Sequence, residues 1–375
     1  MTNTAGPEIL GFVWLDFLSL IGKGQVLNNQ ALRFITLLIG LLSPVLAQAH
    51  VKWFAPYDLT KAPMPIGEVL TPTFLYFFIV SVVFVYIVFA FDRFFYKRNF
   101  LSKLDNKLRR LDQLSMVIMR ACAGIFFLSL WASHQFFGST FFLTPELKTQ
   151  AVWVPWLQLS IGIAALSHRT SWLLGVGIFL LYNAAVRDYG MFHMLDYPIF
   201  LGIAYFFLTS PIERGSWRKS GFIVLFAFTG ITLLWAGIEK FAYPDWTYAM
   251  LEANPDMLFG LSPQTYMVLA GFVEVVVIFI LLGAVSVGSR LVAVGLNAVF
   301  VLAIYKFGPI DAVGHLMIIA ILVVLFVRGP TDAREILVLR EKSVWMEAYF
   351  MTGLYYLAFV TAFILYYGLH SMSYG

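Results

Sequence analysis

One apolar stretch, followed at once by a basic one, decides the fold of this chain. Residues 73–98 are TFLYFFIVSVVFVYIVFAF-DRFFYKR. The apolar part, 73–91, has the length and composition of a membrane-spanning helix. The segment from Asp92 to Asp112 carries the densest group of Lys and Arg in the chain, so the positive-inside rule predicts a cytoplasmic location. We expect an amphipathic helix on the inner leaflet there, with specific binding of anionic lipid as the alternative.

The composition extends this interpretation to the whole chain. Of its 375 residues, 60% are hydrophobic and only 12% are charged, against about 25% in soluble domains. The net charge of +4 is typical of Lys and Arg in cytoplasmic loops and does not indicate nucleic-acid binding. The single cysteine, Cys122, excludes an intrachain disulfide, a CxxC redox pair and a Cys-ligated iron–sulfur cluster. The sequence therefore predicts an all-α polytopic protein of the lipid bilayer.

Apolar runs predict about 10–11 transmembrane helices, and the charges of the loops orient them. Lys and Arg are dense in every second loop and sparse in the others. This pattern predicts a bacterial inner membrane protein whose C-terminus is periplasmic and whose N-terminus, if uncleaved, is cytoplasmic. Beyond 73–91, the predicted spans are 114–133, 151–167, 172–187, 194–210, 221–238, 265–283, 289–305, 313–328 and 345–367.

The segment 1–49 leaves two interpretations open. Residues 8–22 are typical of an interfacial amphipathic helix, and the short apolar run 34–48 predicts either a signal peptide or a retained first span. Cleavage after Ala49 would make His50 the N-terminus, where its amine and imidazole would chelate Cu(II). An ordinary interfacial histidine is the alternative. Four prolines predict an irregular periplasmic loop over 50–72.

An internal repeat is predicted between residues 113–211 and 212–332. Leu130-Trp131-Ala132 in the first set matches Leu234-Trp235-Ala236 in the second. Each set has the order span, long outer loop, span, very short inner loop, span, outer loop, span. Since four spans return the chain to its starting side, the repeats would be parallel, related by an axis along the membrane normal. The remaining segments are a loop, span and basic segment at 50–112, and a cytoplasmic linker and last span at 333–375.

Ionisable residues of the second set predict a site on the outer side. Glu274 lies about nine residues into a span. An unpaired charge there costs at least ~2.5–3.5 kcal/mol, so the residue must be protonated, paired or in a wet cavity. With Glu239 and His315 it would hold a proton path or a quinone carbonyl, and we predict these three as catalytic residues; a structural role between helices is the alternative. Candidate cofactor-binding residues on the same side are Lys240, Trp246, Lys306 and Asp311.

The second set resembles the DoxX-like four-helix membrane family over about 220–332. The resemblance rests on Gly237-Ile238-Glu239-Lys240 at a helix end, Gly271-Phe272-Val273-Glu274 within a span, and a Gly329-Pro330 finish. A degenerate first copy at about 114–211 has Gln135 where Glu239 stands and Gln158 near the position of Glu274. The resemblance implies a four-helix fold and a link to quinone-linked sulfur oxidation or redox-stress membrane complexes, although many members have no assigned activity.

Three functions follow as hypotheses, and the sequence does not decide whether the protein is an enzyme. The first is a quinone-linked redox or redox-accessory subunit, with other membrane or periplasmic redox subunits as partners. The second is a small-solute or ion transporter. The third is a non-catalytic assembly or copper-handling partner that uses His50 and the 50–72 loop. Missing nucleotide motifs argue against nucleotide-dependent catalysis, and histidines near span ends argue against intramembrane haem.

Overall fold

Helices account for almost all regular structure in the described chain. The structure is a computed structural model that describes residues 51–375, apart from 54, 56, 109, 213–214, 330–337 and 339–341. The predictions for residues 1–49 and for His50 lie outside this range. The described residues form fourteen α-helices and no strand, which confirms the all-α class.

Long apolar helices alternate with short ones near the ends of the bundle. In chain order they are α1 Ile66–Val69, α2 Pro72–Lys97, α3 Ser102–Leu108, α4 Ser115–Phe137, α5 Val154–Ala164, α6 Ser171–Tyr189, α7 Met191–Met194, α8 Pro198–Thr209, α9 Gly215–Ala242, α10 Asp245–Ala253, α11 Pro263–Gly283, α12 Val287–Phe307, α13 Pro309–Arg328 and α14 Val344–Tyr374.

Eight helices of the described chain are long and apolar enough to cross a membrane, and this makes the protein a multi-pass membrane protein. They are α2, α4, α6, α9, α11, α12, α13 and α14.

Two of the predicted spans are shorter in the structure. Instead of 151–167 and 194–210, only the 11 residues of α5 and the 12 residues of α8 are helical. Each of these helices has a proline in its first turn, Pro155 and Pro198. Because proline has no backbone N–H to donate into a preceding helical turn, it favours the start of a helix, and each helix begins at its proline or one residue before it.

Eight helices close a ring in which each contacts the next. The first set is α4, α5, α6 and α8, and the second is α9, α11, α12 and α13; α8 packs on α9, and α13 packs on α4. The order of long and short connections is the one expected for the repeat, while the duplication itself stays a prediction. Helices α2 and α14 pack on each other; α2 also packs on α11 and α12 of the second set, and α14 packs on α9 and α11.

Buried charged residues bind the C-terminal part of α2 to the second set. The Asp92 carboxylate accepts three backbone N–H bonds of 2.8–3.0 Å from the 285–288 turn, between α11 and α12. Arg93 is fully buried beside it and lies 3.3 Å from Glu347 of α14. The basic segment predicted from the sequence therefore begins with paired, buried groups.

The segment that precedes α2 lies against the other end of the bundle. The Met64 N–H donates to the Ala242 carbonyl at the end of α9, and the Tyr243 hydroxyl donates to the Lys61 carbonyl, each at 2.8 Å. A 3₁₀ turn, Val51–Trp53, opens the described chain. The ring of Trp53 fills a notch at Gly314, where a Cβ would lie 2.0 Å from it. These contacts bring residue 52 between the two sets.

Candidate functional site

A buried lysine joins the two four-helix sets. Lys52 forms ion pairs with Asp196 and, at 2.5 Å, with Glu239. Asp196 lies between α7 and α8 of the first set, whereas Glu239 lies in the last turn of α9 in the second. Only 4% of the Lys52 side chain is exposed. Since removing charges from water costs several kcal/mol per ion, these ion pairs must offset a large desolvation penalty.

A second buried acid, Glu146, comes from the loop between α4 and α5. The loop folds back on itself through a bond of 2.8 Å from the Phe142 N–H to the Leu147 carbonyl. From α5, the fully buried Gln158 donates to the Phe141 carbonyl at 2.5 Å and fixes the loop to the helix. Glu146 is thereby held at the bundle end with its side chain 1% exposed.

The remaining groups come from the tight connection between α6 and α8. Gly190 has a φ of +84°, which favours glycine, and it starts the short helix α7. His193 and Asp196 stand three residues apart, so they lie on one side of this turn. The His193 Nε2–H donates to Glu146 Oε1 at 2.5 Å, and the hydroxyl of Tyr197 donates to the other Glu146 oxygen.

Glu146, His193 and Asp196 form a set of donors suited to a metal ion. One ligand atom of each lies within 4.8 Å of those of the other two, and all three residues are buried. Imidazole nitrogen and carboxylate oxygen are common ligands of divalent transition metals. We call these three residues the acid–histidine triad.

Electrostatics in and around the triad favour a cation. Burial would lower the pKa of Lys52, but the carboxylates of Asp196, Glu239 and Glu146 raise it above its usual range. Burial raises the pKa of Asp196, and Lys52 offsets this effect only in part. Burial acts in the same direction on Glu146, but the hydrogen bond from His193 and the charge of Lys52 outweigh it and lower the pKa of this carboxyl. Two carboxylates thus pair with one ammonium group, and the charge of a third, Glu146, also stabilises it.

A cavity of about 30 Å³ opens beside Lys52. This volume suits a water molecule or a small ion and is too small for a quinone ring. The rings of Tyr243 and Trp246 stack at 4.1 Å, and Trp246 also lies 5.3 Å from the Lys52 ammonium group. The predicted site residues that line this cavity are Glu239, Lys240 and Trp246.

The structure gives Glu274 a partner of opposite charge. Its carboxylate lies 2.9 Å from the Lys240 ammonium group, and both side chains are at most 16% exposed. The sequence analysis expected Glu274 to be protonated, paired or in a wet cavity, and in the structure it is paired. Its catalytic role stays a prediction.

His315 and Asp311 form a separate buried pair in α13. His315 Nδ1 lies 3.0 Å from the Asp311 carboxylate, one helical turn away, and both side chains are fully buried. Trp53 and Phe300 flank the imidazole, with ring centroids 4.9 and 4.7 Å away. Trp53 follows Lys52 in sequence, so this pair and the Lys52 ion pairs share one backbone segment.

Lys306, another predicted site residue, also lies apart from the cavity. It lies 3.1 Å from Asp256, whose side chain is 74% exposed. Nothing in the described chain joins this pair to Lys52 or to the triad. His50, the predicted copper ligand, lies outside the described residues.

Sequence reasoning missed Lys52 and Glu146, and it did not select His193 or Asp196 as site residues. Glu146 is a lone acid in a loop, and its partner His193 is 47 residues away. The one local signal was the spacing His193-x-x-Asp196, which places two metal-ligand types on one side of a helical turn.

No protein-family model matches the chain, and no curated protein or solved structure does either. The resemblance to the DoxX-like family therefore stays an expectation, as does the transporter hypothesis.

Proposed function

We propose that this multi-pass membrane protein binds a divalent transition-metal ion at Glu146, His193 and Asp196. The observation that carries the proposal is the meeting of these three buried donors within 4.8 Å. It develops the metal-handling hypothesis but moves the site from His50 into the bundle.

The three donor atoms need shifts of only about 1 Å to hold an ion. Bonds to zinc from nitrogen and oxygen are about 2.0–2.2 Å long, so donors on one ion lie roughly 3.3–3.6 Å apart in a tetrahedral arrangement. His193 Nε2 and Glu146 Oε1, now 2.5 Å apart, would separate by about 1 Å, and the longer distances within the triad would shorten by about as much. The ion would take the place of the proton between these two atoms, and that proton would pass to His193 Nδ1 or to water. Three protein ligands leave a position open for water or a substrate, as in catalytic zinc sites.

Side chains around the triad contact its ligands and would hold them in position on a metal ion. Tyr197 donates to Glu146, and Gln158 holds the loop that carries this acid. The rings of Tyr57 and Tyr189 meet the His193 imidazole edge-on, at centroid distances of 5.7 and 5.0 Å. Such partners orient ligands and commonly change metal affinity about 10- to 100-fold.

Metal titration of the purified protein tests the proposal. We expect the detergent-solubilised chain to bind about one Zn²⁺, measured by calorimetry and by metal analysis after dialysis. Co²⁺ in place of Zn²⁺ should give the absorption bands of a site with nitrogen and oxygen ligands. Glu146→Gln and His193→Gln should each weaken binding by more than about 100-fold, which exceeds the loss expected for an outer partner.

Two matched variants serve as controls. Asp188→Asn removes an exposed acid that pairs with Arg187 at 3.0 Å, and His134→Gln removes a histidine that contacts Thr140. Both should bind Zn²⁺ like the unaltered chain. Absence of binding, or equal losses in the triad variants and the controls, would contradict the proposal.

A second candidate function, the quinone-linked redox role, is supported by an apolar groove of about 300 Å³ between α2 and α14. Phe74 lines the groove and packs on Phe241, at a centroid distance of 5.2 Å, next to Lys240 in sequence. The apolar lining suits an isoprenoid tail or an acyl chain. Solvent extraction of the purified protein should release quinone if this role holds, and Phe359→Trp, which narrows the groove, should reduce the amount. Release of phospholipid alone would contradict this role.

A further inference from the structure

We infer that Lys52 is a built-in competitor for the metal site, a tethered cation that holds the Asp196 carboxylate until a divalent ion displaces it. The inference rests on the proposed metal binding and adds a regulatory group to the same site.

Asp196 is shared between Lys52 and the proposed metal site. The Lys52 ammonium group bonds to Asp196 Oδ2, and Asp196 is one of the three triad ligands. A metal ion on Asp196 would lie close to this ammonium group. Like charges at such a distance repel strongly where water is excluded, so the two cations bind in competition.

Lys52 has a second carboxylate, Glu239, with which it can stay paired when a metal ion binds Asp196. Glu239 lies 2.5 Å from the ammonium group on the side of the second set. The faces of Trp246 and Tyr57 lie 5.3 and 5.5 Å away and favour a cation at this position as well. Displacement from Asp196 would therefore not leave the lysine buried and unpaired, which is the expensive outcome for a buried charge.

The charges of the carboxylates match those of a divalent ion together with Lys52. With a divalent ion on Glu146 and Asp196, two negative charges match two positive ones, and Lys52 is matched by Glu239. A monovalent ion in the triad would leave one carboxylate in excess and would also have to displace the same ammonium group. Competition by Lys52 thus selects for divalent over monovalent cations.

Removal of the competitor tests the inference. Zn²⁺ affinity would be measured by competition with a chelator, at one pH, for the full chain and for Lys52→Met. We expect the variant to bind Zn²⁺ about 10- to 100-fold more tightly. Lys61→Met is the control, because Lys61 belongs to the same segment and pairs with the exposed Asp245 at 2.9 Å; it should bind like the unaltered chain.

A second variant should change the Zn²⁺ affinity in the opposite direction, and it tests the inference even if Lys52→Met does not fold. Glu239→Gln removes the second carboxylate partner of Lys52. Lys52 then stays paired with Asp196, and Zn²⁺ should bind more weakly, by about 10-fold. Equal or weaker binding by Lys52→Met, or unchanged binding by Glu239→Gln, would overturn the inference while the proposed function stands. If neither the unaltered chain nor any variant binds Zn²⁺, the proposed function itself fails.

Discussion

In the second four-helix set two buried acids have a base of their own: Glu274 lies 2.9 Å from Lys240, and Asp311 lies 3.0 Å from His315. In the first set, Asp196 instead depends on Lys52, which belongs to neither set and is shared with Glu239. These two pairs are balanced within their own set, whereas the Asp196 carboxylate shares its counter-ion with Glu239 of the other set. A balanced pair of this kind suits structural packing, and a carboxylate that shares its counter-ion suits a cation that binds and leaves.

The largest expected effect tests whether the balanced pair is structural. Lys240→Met leaves Glu274 buried without its partner, so we expect the free energy of unfolding to fall by about 3–5 kcal/mol. Denaturant titration in mixed micelles measures it. The double variant Lys240→Met/Glu274→Leu replaces the pair with apolar groups of similar size and should recover most of the loss. A loss below about 1 kcal/mol in the single variant would mean that water reaches Glu274.

A smaller effect tests how far the first set depends on its loop. Gln158→Leu removes the donor that fixes the Phe141 carbonyl, which loosens the loop carrying Glu146. We expect Zn²⁺ affinity to fall about 10-fold, as for other outer partners of metal ligands. Gln135→Leu, at an exposed position near the end of α4, is the control and should leave the affinity unchanged. Equal affinity in both variants would show that the loop is held without Gln158.

The smallest effect concerns the pair Lys306–Asp256, which lies apart from the cavity and from the triad. Lys306 and Asp256 are 3.1 Å apart at the surface, where water and salt screen the interaction. Lys306→Met should therefore change the free energy of unfolding by less than about 0.5 kcal/mol. A larger loss, measured by the same denaturant titration, would mean that this pair contributes to the stability of the second set.

The contrast between the sets also marks how far the sequence could predict the structure. Apolar runs with charged ends specify helices locally, and this is why the multi-span class and the neighbouring positions of Glu239, Lys240 and Trp246 were predicted. The triad depends on contacts between loops far apart in the chain. Lys52 is 144 residues from Asp196, and no local pattern encodes a contact at that separation. Prolines lie at the starts of α5 and α8, and both helices begin later than the spans predicted from apolar composition alone.

The short helices α5 and α8 have a consequence for the membrane itself. At 1.5 Å per residue their 11 and 12 residues span about 17–18 Å, against about 30 Å of hydrocarbon in a typical bilayer. The 21 residues of α11 span about 32 Å. Since non-helical backbone at membrane depth must be enclosed by protein, the loops before α5 and α8 either bury their polar groups or sit where the bilayer thins. Helices α5 and α8 are therefore too short to cross a bilayer of ordinary thickness on their own, and the loops that carry Glu146 and Asp196 lie directly before them.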